Sequence, residues 1–511
     1  MPTSDICAKP IEINNQEFTS SLTINAMTTA SKFNLVDEAW IPVQGRGWVS
    51  LRDIFSDASL TKLGGNPIQK IALFKLLCAI AQAAWTPEDE NEWLSSTVVD
   101  FQQKCLTYLD RWHDRFWLYG DSPFLQMPDA EKAQVASFAA LNLEKASGNT
   151  TVLTRMQLQP VLSEAEKALL LVTLMAFAAG GKKVDNSVVL SADYKGKSKS
   201  GKYGPALGIK GTLHSFVLTD SIVSSLWLNL FSAELIRKMN CFPAGIGTPP
   251  WEKMPEGEDC VTARGLKDSL MGRLVPMCRF CLLTEEGMHY TEGIAHGSYK
   301  DGHFDPTQAV CRVKNDFKIV WADPDKRPWR SLTALLSFLD TQDASRYVCS
   351  QVELGMSRAR EHFDEVTLWA GGVRVTSNAG EQYLTGSDDF IESSFDFQPD
   401  AVGQIFFSNF CRLVNLLAKF ETILYASIMG YYKELCCDGK TFAAKGTAKF
   451  WEIAGLHAQE LIDASVPGRD SHPLEVFFLD ILKNVYNQSC LHATPRQLQA
   501  WAKNQPHASL K

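Results

Sequence analysis

Five candidate chemistries can be weighed from the residue types and spacing of this 511-residue chain, four of them on particular stretches. The first is SADYKGKSKSGKYGPALGIKG, residues 191–211, where Lys195, Lys197, Lys199, Lys202 and Lys210 sit among Gly196, Gly201, Gly204 and Gly208. Glycine lets backbone N–H groups close on an anion, lysine supplies charge, and Tyr203 offers a ring face to a sugar or base. A solvated surface loop has the same composition, and the residues alone leave both readings open. Gly196 to Lys202 also has the spacing of a phosphate-binding P-loop. Tyr203, however, stands where Ser or Thr would hold magnesium, Pro205 follows, and no acidic strand partners it, so nucleotidase chemistry is disfavoured.

The second is Cys278-x-x-Cys281, half of a zinc site. Cys260, His289, His296, His303 and Cys311 supply no second tight pair, and the surrounding LVPMCRFCLLT reads as a strand, which sends the two thiols to opposite faces. Hydrolase chemistry is third: there is no HExxH, no GxSxG and no catalytic-cysteine signature. His214 and His289 read as structural, and no catalytic residue is assigned. The fourth, AGGVRVTSNAGEQYLTGSDDF (370–390), implies tight exposed turns at Gly371-Gly372 and Asn378-Ala379-Gly380. It is either a plain hairpin or a polar tip able to enter a groove or base stack. The fifth, HYTEGIAHGSYKDGHFDPTQAV (289–310), is rich in Gly and His with Lys300 near its tip.

The elements that must position these loops divide the chain. Its length predicts about two to four domains. Residues 1–32, poor in large apolar groups, read as a mobile tail. FNLVDEAWIPV, QGRG and WVSL read as two short strands about a turn. Helices are expected at Asn66–Trp85, with Ile68, Ile71, Phe74, Leu77 and Ile80 on one face, at Val98–Leu118, and at Glu164–Ala179, stopped by Gly180-Gly181. The middle, 182–400, reads as short strands and loops. Beyond 400, Phe406, Phe410, Leu413, Leu417, Phe420, Leu424 and Ile428 step by threes and fours along one long helix. Further helices are expected at 444–463, 473–488 and 494–503, the last opened by Thr494-Pro495-Arg496-Gln497. The fold class is thus α+β: a large mixed domain over 33–400 and an antiparallel four-helix bundle over 401–511.

The bulk properties exclude some functions. A net charge of −8 disfavours a protein that coats nucleic acid alone, so any such contact is local or shared. Thirteen irregularly spaced cysteines fit free thiols in a reducing compartment. The longest apolar run, Ala168–Ala179, falls short of the roughly 18–20 residues of a membrane span, and the start has no signal-peptide pattern.

In order and spacing these stretches resemble one family, the large subunit (CasA) of the type I-E CRISPR surveillance complex Cascade. The resemblance rests on FNLVDEAWIPV (33–43), GDSPFLQ (120–126), SGNTTVL (147–153), GPALGIKGTLHSF (204–216), LWLNLFS (226–232), the 289–310 loop, DPDKRPWRSLTALLSFL (323–339), the 370–390 stretch and the helical C-terminus. It implies a cytoplasmic DNA-recognition subunit that is not an enzyme. Such a subunit reads a short motif in duplex DNA from the minor groove, helps start strand separation and helps recruit a helicase–nuclease. Guide RNA, the backbone subunits and double-stranded target DNA are the implied partners, with no membrane and no cofactor.

Carried over residue by residue, the family's glycine loop falls on Gly201, Lys202, Tyr203 and Gly204, with fewer consecutive glycines than some members and a bulkier Tyr203. The lysine finger falls on Lys300. The wedge falls on Ser377, Asn378 and Ala379, without the glutamine some members use. The contact with guide RNA and backbone subunits falls on Gly148 and Asn149. Some members hold zinc with two Cys-x-x-Cys pairs; 130–160 has no cysteine here, so no metal is expected. A P-loop-like nucleotidase, and a scaffold touching only RNA and protein, are the rival functions.

Overall fold

The structure is a computed structural model and describes residues 33–142, 160–177, 184–185, 187–192, 194, 211–314, 316–340, 346–378, 381–384 and 387–508. Its central helix, Pro67–Ala84, starts where the sequence requires. Asn66 Oδ1 accepts from Gln69 N at 3.0 Å, and Gln69 Oε1 accepts from Asn66 N at 2.9 Å, with Pro67 at the first position. The helix is buried on nearly every side.

Against it lies a three-stranded antiparallel sheet in the order Phe390–Phe397, Val366–Val373, His214–Leu218. Alternation along the strands sends Phe216 and Trp369, paired in register, to the face that meets the helix. Phe74, Phe216 and Trp369 stack there at centroid separations of 4.2 and 4.8 Å. A second sheet orders Val135–Ser137, Gly287–Glu292, Arg279–Leu283. Hairpins Ile41–Val43/Gly47–Val49, Val310–Val313/Asp316–Ile319 and Thr376–Asn378/Glu381–Tyr383 complete the strands.

Three expected helices differ from their sequence pattern: two are shorter and one is split. Val98–Leu118 is helical only to Trp112, because the next segment pairs with the start of the described chain: Leu118 N donates to Phe33 O and Leu35 N to Phe116 O. The stretch 444–463 is two helices, Lys440–Leu456 and Ala458–Ala464, broken at His457, whose ring stands edge-on to Phe477. Glu164–Ala176 ends at Phe177.

The long helix Gln404–Glu434 buries the seven apolar residues that step along it. Gly446 lies against Ile428 and Phe442 stacks on Tyr432, so the next helix runs back along it. Arg412 meets Glu475 at one end and Tyr432 meets Ser489 at the other, so His472–Ser489 runs parallel to it. Pro495–Lys503 turns back again, with Gln497 capping as expected. This is an alternating bundle whose fourth helix, nine residues long, covers one end only. Pro67–Ala84 and Gln404–Glu434 reach the length and mean hydropathy (1.3) of a membrane-crossing helix. The first is enclosed by protein, and the second exposes Arg412, Lys419 and Lys433 opposite its packed stripe.

Candidate nucleic-acid interface

Lys300 lies in a single 3₁₀ turn, Tyr299–Asp301. Ser298 N and Oγ both donate to Asp301 Oδ2, at 3.3 and 3.1 Å, and Gly302 closes the turn at φ +84. The ammonium is exposed and makes no ion pair or side-chain hydrogen bond among the described residues. It is therefore a lone cation on a short, pinned tip.

The tip is held from below by Arg273, which is fully buried. Its guanidinium donates to Phe304 O (3.2 Å) and Lys267 O (2.9 Å), and its remaining N–H groups face His296 Nδ1 (3.2 Å) and His303 Nδ1 (3.0 Å). An arginine can only donate, so both rings present an unprotonated Nδ1 to it. His296 completes its bonding through Nε2 to Pro276 O at 2.6 Å. A Cβ at Gly297 would come within 2.1 Å of the His303 ring, so the loop closes this tightly only with glycine there.

The roots of three loops meet beside this tip. Gly211 ends the lysine- and glycine-rich segment, and Ala322 N donates to its carbonyl at 3.1 Å while Leu213 N donates to Val320 O at 3.0 Å. This ladder sets Thr212 opposite Trp321, whose partly exposed ring receives Tyr299 edge-on at 5.9 Å. On the other side a Cβ at Gly211 would fall 1.7 Å from Val373 O. One residue beyond, Arg374 holds the base of the 376–383 hairpin, through Nε to buried Asp389 at 2.8 Å and through Nη1 to Asp325 at 3.7 Å. Gly211→Ala must push this junction apart. It is expected to destabilise the chain by about 1–3 kcal/mol, read as a lower denaturant midpoint; an unchanged midpoint would refute the close approach.

Not every expected residue lies within this picture. Gly201, Lys202, Tyr203 and Gly204, Gly148 and Asn149, and Ala379 lie outside the described residues, as does the 1–32 tail. Ser377 and Asn378 are strand residues rather than tip residues: Asn378 pairs with Glu381, leaving a two-residue connection between them. The sequence reading missed Trp321, Arg374 and Arg273. Trp321 had a signal, a large aromatic at the end of an alternating strand, while the two arginines had none.

Beneath the junction, Lys75 and Asp305 form a fully buried ion pair. Asp305 Oδ1 also accepts from Thr307 N (3.1 Å) and Thr307 Oγ1 (2.7 Å). Burial pushes the Asp305 carboxyl up, but Lys75, His214 and Thr307 outweigh it and hold it below its ordinary value. His214 bridges Thr212 Oγ1 (3.1 Å) and Thr307 Oγ1 (2.6 Å), and burial lowers its imidazole to about 3. It is therefore neutral and structural, and His289 is bonded to Ala133 O. Cys278 precedes its strand and Cys281 lies within it; both are buried, and burial pushes the Cys281 thiol up to about 12. Among the described residues no three His, Cys, Asp or Glu side chains gather.

The architecture places the molecule in a class: a mixed α+β body carrying an alternating helical bundle, with three loops rooted together at one junction. The family model for CRISPR-associated protein Cse1 matches residues 34–502, and the chain belongs to that family. A CasA/Cse1 protein of Thermus thermophilus is 32% identical over 170 residues, covering 30% of this chain and 33% of that one, so the match spans about a third of the curated relative's length. The crystal structure of Thermobifida fusca Cse1 superposes with TM-score 0.70 at 19% identity, covering 93% of this chain and 96% of the other. A chain of a CRISPR RNA-guided surveillance complex superposes with TM-score 0.67 at 14% identity, covering 93% and 98%.

Proposed function

We propose that this chain is the DNA-recognition subunit of a type I-E RNA-guided surveillance complex. It reads a short motif beside the target in duplex DNA, from the minor groove. It then helps open the strands for the guide RNA and helps recruit a helicase–nuclease, with no catalysis of its own. The observation that carries this is the junction at Trp321, where the root of the lysine- and glycine-rich segment, the Lys300 turn and the root of the 376–383 hairpin abut. Family membership and the likeness to a chain of such a complex support the assembly.

The physics suits the task. The minor groove presents a degenerate pattern, so a few short probes read a short, tolerant motif. Phosphate contacts set orientation, and guide–target pairing supplies the remaining specificity, as in single-protein RNA-guided effectors. An acidic subunit touching few base pairs leaves most of the nucleic acid to its partners. None of the described cysteines forms a disulfide, in keeping with a cytoplasmic location.

The test is binding of the assembled complex to duplexes differing only in the adjacent triplet. Lys300→Ala is expected to weaken binding to the preferred duplex by about 1–3 kcal/mol, with Lys202→Ala and Asn378→Ala eroding triplet discrimination. If all three variants discriminate as the parent does, the assignment is wrong. If the loops crosslink only to RNA or protein, the scaffold reading replaces it; nucleotide turnover by the purified chain would instead favour the nucleotidase.

A further inference from the structure

A cleft of about 560 Å³ opens beside the Lys300 loop, between that loop and the start of the helix Ser350–His362. One wall is aromatic, with Phe304 and Phe317 edge-to-face at 4.8 Å and Phe242 beside them. Arg312 is the cross-strand partner of Phe317 and so lies beside these rings, and Arg346 also lines the cleft. Val310 and Val348 form an antiparallel bridge, exchanging hydrogen bonds of 3.0 and 2.8 Å. Arg312, two residues beyond Val310, and Arg346, two residues before Val348, both line the cleft.

Like charges that share a cleft repel. Neither guanidinium forms an ion pair among the described residues. Arg346 makes one weak bond, Nη1 to Asp340 O at 3.4 Å, and its Nε is buried with no partner. Asp305 also borders the cleft, but its carboxylate is held by Lys75. Glu353, exposed on the adjoining helix, feels the charge of Arg346 but forms no ion pair with it among the described residues. What the pair lacks is an anion between them. Planar guanidinium forks match a phosphate, and the aromatic rings beside Arg312 match a flat ring. A volume of this size accommodates a ligand of nucleotide dimensions.

We propose that this cleft binds one phosphate-bearing nucleotide, its phosphate between Arg312 and Arg346 and its base against Phe304 and Phe317. The source is either an unpaired nucleotide of a nucleic-acid strand or a free nucleotide. The site uses other residues than the motif reading and goes beyond it.

The full chain is titrated with a labelled oligothymidylate and, separately, with thymidine monophosphate. Cys241, a half-buried residue of the same cleft, is meanwhile alkylated with a maleimide and read by peptide mass. At least one ligand is expected to slow Cys241 modification. Arg312→Gln combined with Arg346→Gln is expected to weaken that ligand by about tenfold or more, and Arg312→Lys alone by less. Lys300→Ala, which disables the motif reading, is expected to leave the protection intact. Protection by oligothymidylate alone assigns the site to a strand, and protection by the monophosphate assigns it to a free nucleotide. Protection by neither, or equal protection in the double arginine variant with unchanged thermal unfolding, overturns the proposal.

Discussion

Lys75→Met is expected to destabilise the chain by about 3–5 kcal/mol, because it strands the Asp305 carboxylate in the core. The reasoning starts from position. Lys75 is 2% exposed in the middle of the central helix, and Asp305 is 1% exposed in the chain that follows the Lys300 turn. The pair therefore ties the helix to the base of the loop that carries the lone cation. Removing both charges together is expected to recover much of the loss, since paired apolar groups replace a buried ion pair at little penalty. Recovery stays incomplete because Asp305 also satisfies Thr307 N and Oγ1. Urea midpoints of Lys75→Met, Asp305→Leu and the double variant decide the matter. Additive losses would mean that the two charges do not act as a pair.

The second large effect is acid sensitivity through His214. In the unfolded chain this imidazole takes up a proton near its ordinary value of about 6.5. In the folded chain burial holds it to about 3. As pH falls below about 6.5 the unfolded state binds a proton that the folded state refuses, so stability falls by about 1.4 kcal/mol per pH unit. Asp305 acts lower down. Its folded value lies below its unfolded one, so its contribution is present above the unfolded value and is lost as pH falls through the folded one. Between about pH 6 and pH 4.5 His214 therefore contributes a destabilising slope in which Asp305 has little part. His214→Gln is expected to flatten thermal stability across that interval, whatever its effect at pH 7. A parent-like slope in the variant would place the acid sensitivity elsewhere.

Local features of the fold were legible because they are written in neighbouring residues. Asn66 with Gln69, and Thr494 with Gln497, announce helix starts that the structure reproduces. The stripe from Phe406 to Ile428 is the buried face of the long helix. What failed was decided at a distance. Val98–Leu118 stops early because residues 33–35 claim the backbone of 116–118, and no spacing within the segment records that. The candidate site divides the same way. Lys300 was visible as a lysine among loop formers, but its support was not. Arg273, Trp321 and the Gly211–Val373 approach exist only once remote segments fold together. Besides Trp321, a lysine set among Ile71, Leu73, Leu76 and Leu77 was an overlooked signal, since a charge in an almost wholly buried helix demands a partner elsewhere.

The junction at Trp321 also bears on how such a protein can change over time. Its contacts are backbone ladders, a glycine with no room for a side chain, and ion pairs at the hairpin base. Apart from the contact of Tyr299 with Trp321, none of them reads the identity of residues at the loop tips. Substitutions at Lys300 or within the 376–383 turn therefore leave the supporting geometry in place, whereas substitutions at Gly211 do not. A lineage can therefore vary these tips at little risk to folding, and the 19% identity with a protein of similar fold is the divergence such an arrangement permits.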